Sequence, residues 1–163
     1  MDGDAIGVEA FNRLATPAAE RLLAACCAAP EWVRALERGR PYPDRAALLA
    51  AADAALAALG EEGLDAALAG HPRIGERVTA GASAREQAGV RGDRIRARLA
   101  EANRVYEEKF GHVYLVCAAG RDGEELLAVL QARLGNDPAT ERQVMRTELG
   151  RINRLRLIDR VTG

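Results

Sequence analysis

The chain has 163 residues, 48% of them hydrophobic and 29% charged, and a formal net charge of −1 at pH 7. That length holds one domain with a proper core, and the composition excludes a disordered chain. A near-zero net charge gives no field for nucleic acid, and no run reaches the roughly 18 uncharged apolar residues of a membrane span, so neither partner is expected.

Residues 7–15 predict a short helix with Phe11 and Leu14 facing inward. Thr16-Pro17 reads as an N-cap followed by Pro at the first helical position, opening a helix to Cys27. Pro30 restarts a helix across Trp32, Val33 and Leu36 that ends near Gly39. Pro41-Tyr42-Pro43 is extended, because each proline drives its predecessor out of the α region. Asp44 caps an Ala-rich helix to Leu59 that lets its neighbours approach closely. A shorter helix over residues 64–69 follows Gly60 and Gly63.

Residues 70–92, GHPRIGERVTAGASAREQAGVRG, break this pattern with five glycines and few large apolar side chains. A connection of such length inside a compact domain is usually functional or disordered. The next helix spans residues 91–109, where Ile95, Leu99, Ala102 and Tyr106 recur at spacings of four, three and four. Gly111 stops it. Residues 112–119, HVYLVCAA, are the one β-like run and cannot form a sheet alone. They read as a buried strip whose backbone groups need partners, which a ligand could supply. Asp122 and Glu125 open a helix through Leu126, Leu127, Leu130 and Leu134, and Asp137-Pro138 opens the last and longest one, to Asp159. The expected fold is all-α, a single domain over 1–163 with six to eight helices and an irregular polar segment for the site.

Three cysteines, with Cys26 and Cys27 adjacent and Cys117 apart, resemble neither a disulfide framework nor a zinc site. They read as small buried apolar residues. The acidic N-terminus lacks the basic start and apolar run of a signal peptide, and RVTG is not a targeting or lipidation motif. A cytoplasmic protein is expected.

Three places carry possible chemistry. His71 can exchange protons near neutrality, and Pro72 stiffens its turn. The alternative is an imidazole that only bonds a neighbouring carbonyl. Ser83 and Glu86 have the S-x-x-E spacing of a capping box, the preferred reading from spacing alone. The functional alternative adds Gln87 and makes this a place for a small anionic, hydrogen-bonding ligand. Arg156 continues the apolar stripe Met145, Leu149, Ile152 by one more step of four. It either snorkels out at the stripe's end, leaving Leu155 and Leu157 as core, or forks onto a carboxylate or imide-like edge. The two histidines, His71 and His112, lack ligand spacing, so no metal is expected, and no phosphate loop is present.

His71-Pro72-Arg73-Ile74-Gly75, then residues 83–89 (SAREQAG), then residues 106–111 (YEEKFG), and finally Leu155-Arg156-Leu157 resemble the OHCU decarboxylase family. OHCU is 2-oxo-4-hydroxy-4-carboxy-5-ureidoimidazoline. The ordered set of four, at similar intervals along nearly the whole chain, carries the resemblance. It implies an all-α carboxy-lyase of urate degradation, often a dimer, without metal or organic cofactor, that converts this small-molecule substrate to (S)-allantoin. By motif position His71 would be the catalytic histidine and Glu86 its acidic partner. Pro72, Ser83, Gln87 and Arg156 would line the substrate site, and the backbone at Gly111, His112 and Val113 would add hydrogen bonds. One departure stands out: the family usually reads KFGF, where this chain has His112, which puts aromatic packing there in doubt. Two other readings remain, a non-catalytic helical interaction module and an enzyme acting on another ureide or hydantoin.

Overall fold

The computed structural model describes residues 4–76 and 81–163. They form nine helices and one two-stranded contact, and the chain divides into two compact units, Met1–Gly70 with Gly150–Gly163, and His71–Leu149. The all-α expectation holds, with one helix more than the upper count expected.

The first unit opens with β1 (Ile6–Gly7), which runs parallel to β2 (Val161–Thr162) and tethers both ends of the chain. Next come α1 (Val8–Arg13), α2 (Thr16–Cys26), α3 (Pro30–Arg38), α4 (Arg45–Ala57) and α5 (Glu61–Ala69). Thr16 is not the N-cap of α2. Ala15 occupies that position without a side-chain bond, and the Thr16 hydroxyl donates to Glu37 Oε1 at 3.0 Å instead. Asp44 does cap α4, accepting from the Ala47 N–H at 2.8 Å.

Helix α3 packs between α2 and α4. Trp32, fully buried, places its indole N–H on the Ala52 carbonyl of α4 at 3.1 Å, so the largest side chain of this core has its one polar atom satisfied. Phe11, Leu23, Leu36, Leu48, Leu64 and Leu157 complete the interior, each fully buried leucine contributing about 1.5–3 kcal/mol. The connection after α3 contains a cis Arg40–Pro41 bond. It is bracketed by Asn12, whose amide donates to the Tyr42 carbonyl at 2.8 Å and accepts from the Tyr42 N–H at 2.9 Å. The Tyr42 ring turns inward and its hydroxyl donates to the Leu36 carbonyl at 2.7 Å.

The second unit contains α6 (Gly81–Glu86), α7 (Asp93–Phe110), α8 (Gly123–Arg133) and the start of α9 (Pro138–Arg160). The stripe read from sequence is the one buried: Ile95, Leu99 and Tyr106 enter a core with Leu126, Leu127 and Leu130 of α8, while Ala102 packs at its edge. Close approach of the two helices needs Gly123, where a Cβ would come within 2.7 Å of Ile95 Cγ1. Gly111 ends α7 in the left-handed region at φ 76°, its N–H donating to the Glu107 carbonyl at 2.8 Å. Asp122 caps α8 through the Glu125 N–H at 2.8 Å, and Asp137 accepts from the Thr140 N–H at 2.8 Å at the head of α9.

Residues 112–119 form no strand; Tyr114, Val116 and Ala118 join the core of the second unit, and Leu115 is also buried. No helix of the described residues is long and apolar enough to cross a membrane.

Candidate active site

Residues 71–76 leave the C-cap of α5 as a short non-helical loop. Its side chains differ in burial: His71 and Pro72 are half-buried, Arg73 is exposed and Ile74 is buried. The loop is fixed by its backbone. Gln87, only 9% exposed, accepts from the Gly75 N–H at 3.0 Å and donates to the Arg73 carbonyl at 3.3 Å. Asn103 of α7, 1% exposed, donates to the Ile74 carbonyl at 2.8 Å and to its own helix at Leu99, also at 2.8 Å. Gly75 sits at φ 96°, where a side chain would be strained and would press on Leu99. Three consecutive residues beyond Pro72 are thus each held by a buried amide.

Gln87 directly follows Glu86, the last residue of α6, so the strap that fixes the His71 loop also fixes the end of the helix carrying that carboxylate. The capping reading of Ser83 and Glu86 does not survive. Ser83 lies inside α6, and α7 begins at Asp93 after an N-cap, Gly92, with no side-chain bond. Nor is the whole stretch 70–92 irregular, since α6 occupies part of it; residues 77–80 lie outside the described residues. Gln87, expected to face substrate, uses Oε1 and one Nε2 contact on the loop, though a primary amide nitrogen carries a second N–H.

The strip includes Cys117, which is half-buried. Burial pushes the Cys117 thiol up from its ordinary value against a backbone hydrogen bond at Ala119, and the carboxylates of Glu148 and Glu86 push it the same way. The segment just after α6 reaches the turn behind the strip, because a Cβ at Gly89 would fall 2.2 Å from the Arg121 carbonyl oxygen. His112 keeps the ring environment that its polarity put in doubt. Its imidazole stacks on Phe110 at 6.2 Å and meets Tyr106 edge-on at 5.6 Å, with Nδ1 3.2 Å from the Val113 carbonyl.

In the first unit, Arg156 is half-buried on α9 and its Nη1 donates to the Cys26 carbonyl at 3.5 Å. Leu157 is fully buried, whereas Leu155, the other core candidate, is 39% exposed. Burial drives the Cys26 thiol up to about 12, against the pull of Arg160 and Arg156, and burial also raises Cys27. All three cysteines are free thiols, the adjacent pair buried.

A cavity of about 480 Å³ in the second unit is lined by Arg73, Glu76, Arg96, Asn103, Arg104 and Glu107 among others. It contains neither His71 nor Glu86. Arg73 donates to Glu107 at 2.7 Å and to Glu76 at 3.1 Å, Arg104 pairs with Glu101 and Glu108, and Arg96 donates to the Val90 carbonyl at 2.9 Å. We assign it no part in the chemistry.

Sequence reasoning missed Asn103, Arg133 and Glu141. Each occupies a place where an apolar stripe calls for a hydrophobic residue. Asn103 lies four after Leu99, Arg133 three after Leu130, and Glu141 four before Met145. The reasoning that singled out Arg156 would have found all three.

An all-α protein, with a histidine-bearing loop held by buried amides from the end of a short helix and from α7, is the class these features define. A sequence model of OHCU decarboxylase matches residues 12–158, and the chain belongs to that family. It is 44% identical over 63 residues to a 2-oxo-4-hydroxy-4-carboxy-5-ureidoimidazoline decarboxylase of Amia calva, an alignment covering 39% of this chain and 36% of that protein. It is 28% identical over 142 residues to the Uric acid degradation bifunctional protein TTL of Arabidopsis thaliana, covering 81% and 44%. These alignments span less than half the length of either relative. Among solved structures, an OHCU decarboxylase in the presence of (S)-allantoin superposes with a TM-score of 0.73 at 26% identity, covering 83% of this chain and 93% of that one.

Proposed function

We propose that this chain decarboxylates 2-oxo-4-hydroxy-4-carboxy-5-ureidoimidazoline to (S)-allantoin. The observation that carries the reading is the family match over residues 12–158, supported by the likeness to an OHCU decarboxylase solved with (S)-allantoin. In the reaction the bond from the ring carbon to its carboxylate breaks and carbon dioxide leaves. The electron pair passes into the substrate's own imine and carbonyl groups, and a proton is then captured on one face of the ring. The protein needs a proton-transfer residue, donors for the negative charge that builds on heteroatoms, and a grip that fixes the face.

His71 is the proton-transfer residue in this reading, acting on the substrate's hydroxyl or ring nitrogen. Glu86 orients it or helps to deliver the final proton. Pro72 keeps the histidine's turn stiff, and Ser83, Gln87 and Arg156 bind polar edges of the substrate, the last with a planar fork suited to a ureido group. The backbone at Gly111, His112 and Val113 supplies further hydrogen bonds. Gln87 holds the loop as well, which favours a preset position for His71 before substrate arrives. The same reading carries a cytoplasmic homodimer, which light scattering would register as twice the chain mass; a monomer at working concentration would remove the dimer from it.

The test is to add the protein to freshly generated substrate and follow the circular dichroism of allantoin against the slow spontaneous background. Optically active product formed faster than that background supports the reading. Racemic allantoin at the spontaneous rate overturns it.

A further inference from the structure

Residues 114–116 are buried and the strip that holds them forms no strand, so the carbonyl of Leu115 needs a partner from elsewhere. It has one: Arg133 Nη1 of α8 donates to it at 2.7 Å. The rest of that guanidinium is engaged too. Nε and Nη2 donate to Glu141 Oε1 at 2.8 and 2.5 Å, and the plane lies over the Tyr114 ring at 4.9 Å. Glu141, fully buried, also accepts from the Tyr106 hydroxyl at 2.5 Å and the Asn136 amide at 3.0 Å. One ion pair therefore fastens α7, the strip, α8 and the first turn of α9 at a single point.

The charge state follows from this geometry. Burial pushes the Glu141 carboxyl upward, but the bonds from Arg133, Tyr106 and Asn136 outweigh it and leave the group below its ordinary value. Burial and the Glu141 carboxylate together raise the Tyr106 hydroxyl. Glu141 is thus an anion, Arg133 a cation and Tyr106 a donor. A buried pair of this kind is weak as a source of stability, and well-packed apolar replacements are often as stable or more so. An apolar core could bury this strip equally well, but it would leave the Leu115 carbonyl without a donor. Beyond the strip, the turn at Arg121 lies against the segment that follows α6, where a Cβ at Gly89 would fall 2.2 Å from the Arg121 carbonyl oxygen.

We propose that Arg133, held by Glu141, is a positioning residue that sets the backbone of residues 113–117 against the Glu86 end of α6 for the decarboxylation. The proposal rests on the decarboxylase reading above. It assigns no contact between Arg133 and substrate. The effect runs through the Leu115 carbonyl to the strip, and from the strip through the Arg121 turn to the end of α6 that bears Glu86.

The experiment compares wild type, Arg133→Lys and the triple variant Tyr106→Phe/Arg133→Met/Glu141→Leu, which removes the clamp without leaving an unpaired buried charge. Asn12→Ala, altering only the first unit, controls for lost stability. The clamp predicts a graded loss of turnover, about 10- to 100-fold in the triple variant and smaller in Arg133→Lys, with KM changed by less than about threefold. Amide hydrogen exchange over residues 113–117 should accelerate in the same order, by about tenfold in the triple variant. Asn12→Ala should melt earlier with turnover unchanged. A folded triple variant with wild-type turnover and wild-type exchange overturns the clamp. If the triple variant does not fold, Arg133→Lys decides alone, and unchanged turnover with unchanged exchange overturns the proposal. Wild type that yields only racemic allantoin sinks the decarboxylase reading instead, a distinct outcome.

Discussion

Two connections, one in each unit, hold non-helical backbone in opposite ways. After α3, the segment at Tyr42 is bracketed by Asn12 and turns its large side chain inward, where the ring is buried and its hydroxyl bonded. After α5, the loop at residues 71–76 is gripped through its backbone by Gln87 and Asn103, while His71 and Pro72 stay half-buried. The first arrangement uses the connection as core. The second fixes the main chain and leaves the His71 and Pro72 side chains partly exposed, which is what a group meant to meet a substrate requires. Buried amides mark both segments, so an anchored loop is not by itself a site. What matters is which part of it, side chain or backbone, the anchors consume.

That contrast can be broken experimentally. The largest effect is expected at His71. Under the proposed function His71→Asn should fold normally and lose about 10²- to 10⁴-fold in turnover. A near-normal rate in the optically active allantoin assay would remove His71 from the mechanism. Next comes Gln87→Leu, which strips partners from the Gly75 N–H and the Arg73 carbonyl. It should cost about 1–3 kcal/mol in denaturant unfolding and lower turnover by about tenfold or more, because the imidazole loses its fixed approach. Stability lost with turnover intact would show the strap to be scaffold only. The smallest effect on chemistry belongs to Asn12→Ala. It should destabilise by a similar 1–3 kcal/mol, roughly, yet leave turnover and KM where they were. If Asn12→Ala damages turnover as much as Gln87→Leu does, the two connections do not differ in the way described.

Much of the fold was legible because local rules and tertiary packing agree in it. Asp44, Asp122 and Asp137 cap the helices they precede, Gly111 takes the left-handed position, and the Ile95–Leu99–Tyr106 stripe is the face that is buried. The failures came where a side chain had a better offer from far away. Thr16 could cap α2 but bonds Glu37, 21 residues on. The S-x-x-E pattern at Ser83 lost its meaning because a helix had already begun at Gly81. Among the candidate site residues, His71, Glu86, Gln87 and Arg156 stood out by residue type and motif. Arg133 and Glu141 did not, because only the apolar positions of their helices were followed, and a buried charge makes sense only beside the partner that neutralises it.

Position 89 imposes a limit on anyone who would reshape this region. A single methyl group there would land 2.2 Å from the oxygen of Arg121, a distance no rotamer can relieve, since the obstacle is main chain. Libraries that randomise residues 83–92 to admit bulkier ureides should therefore return glycine at 89 in every folded clone. Freedom to remodel the pocket has to be sought on the histidine's side of the strap instead.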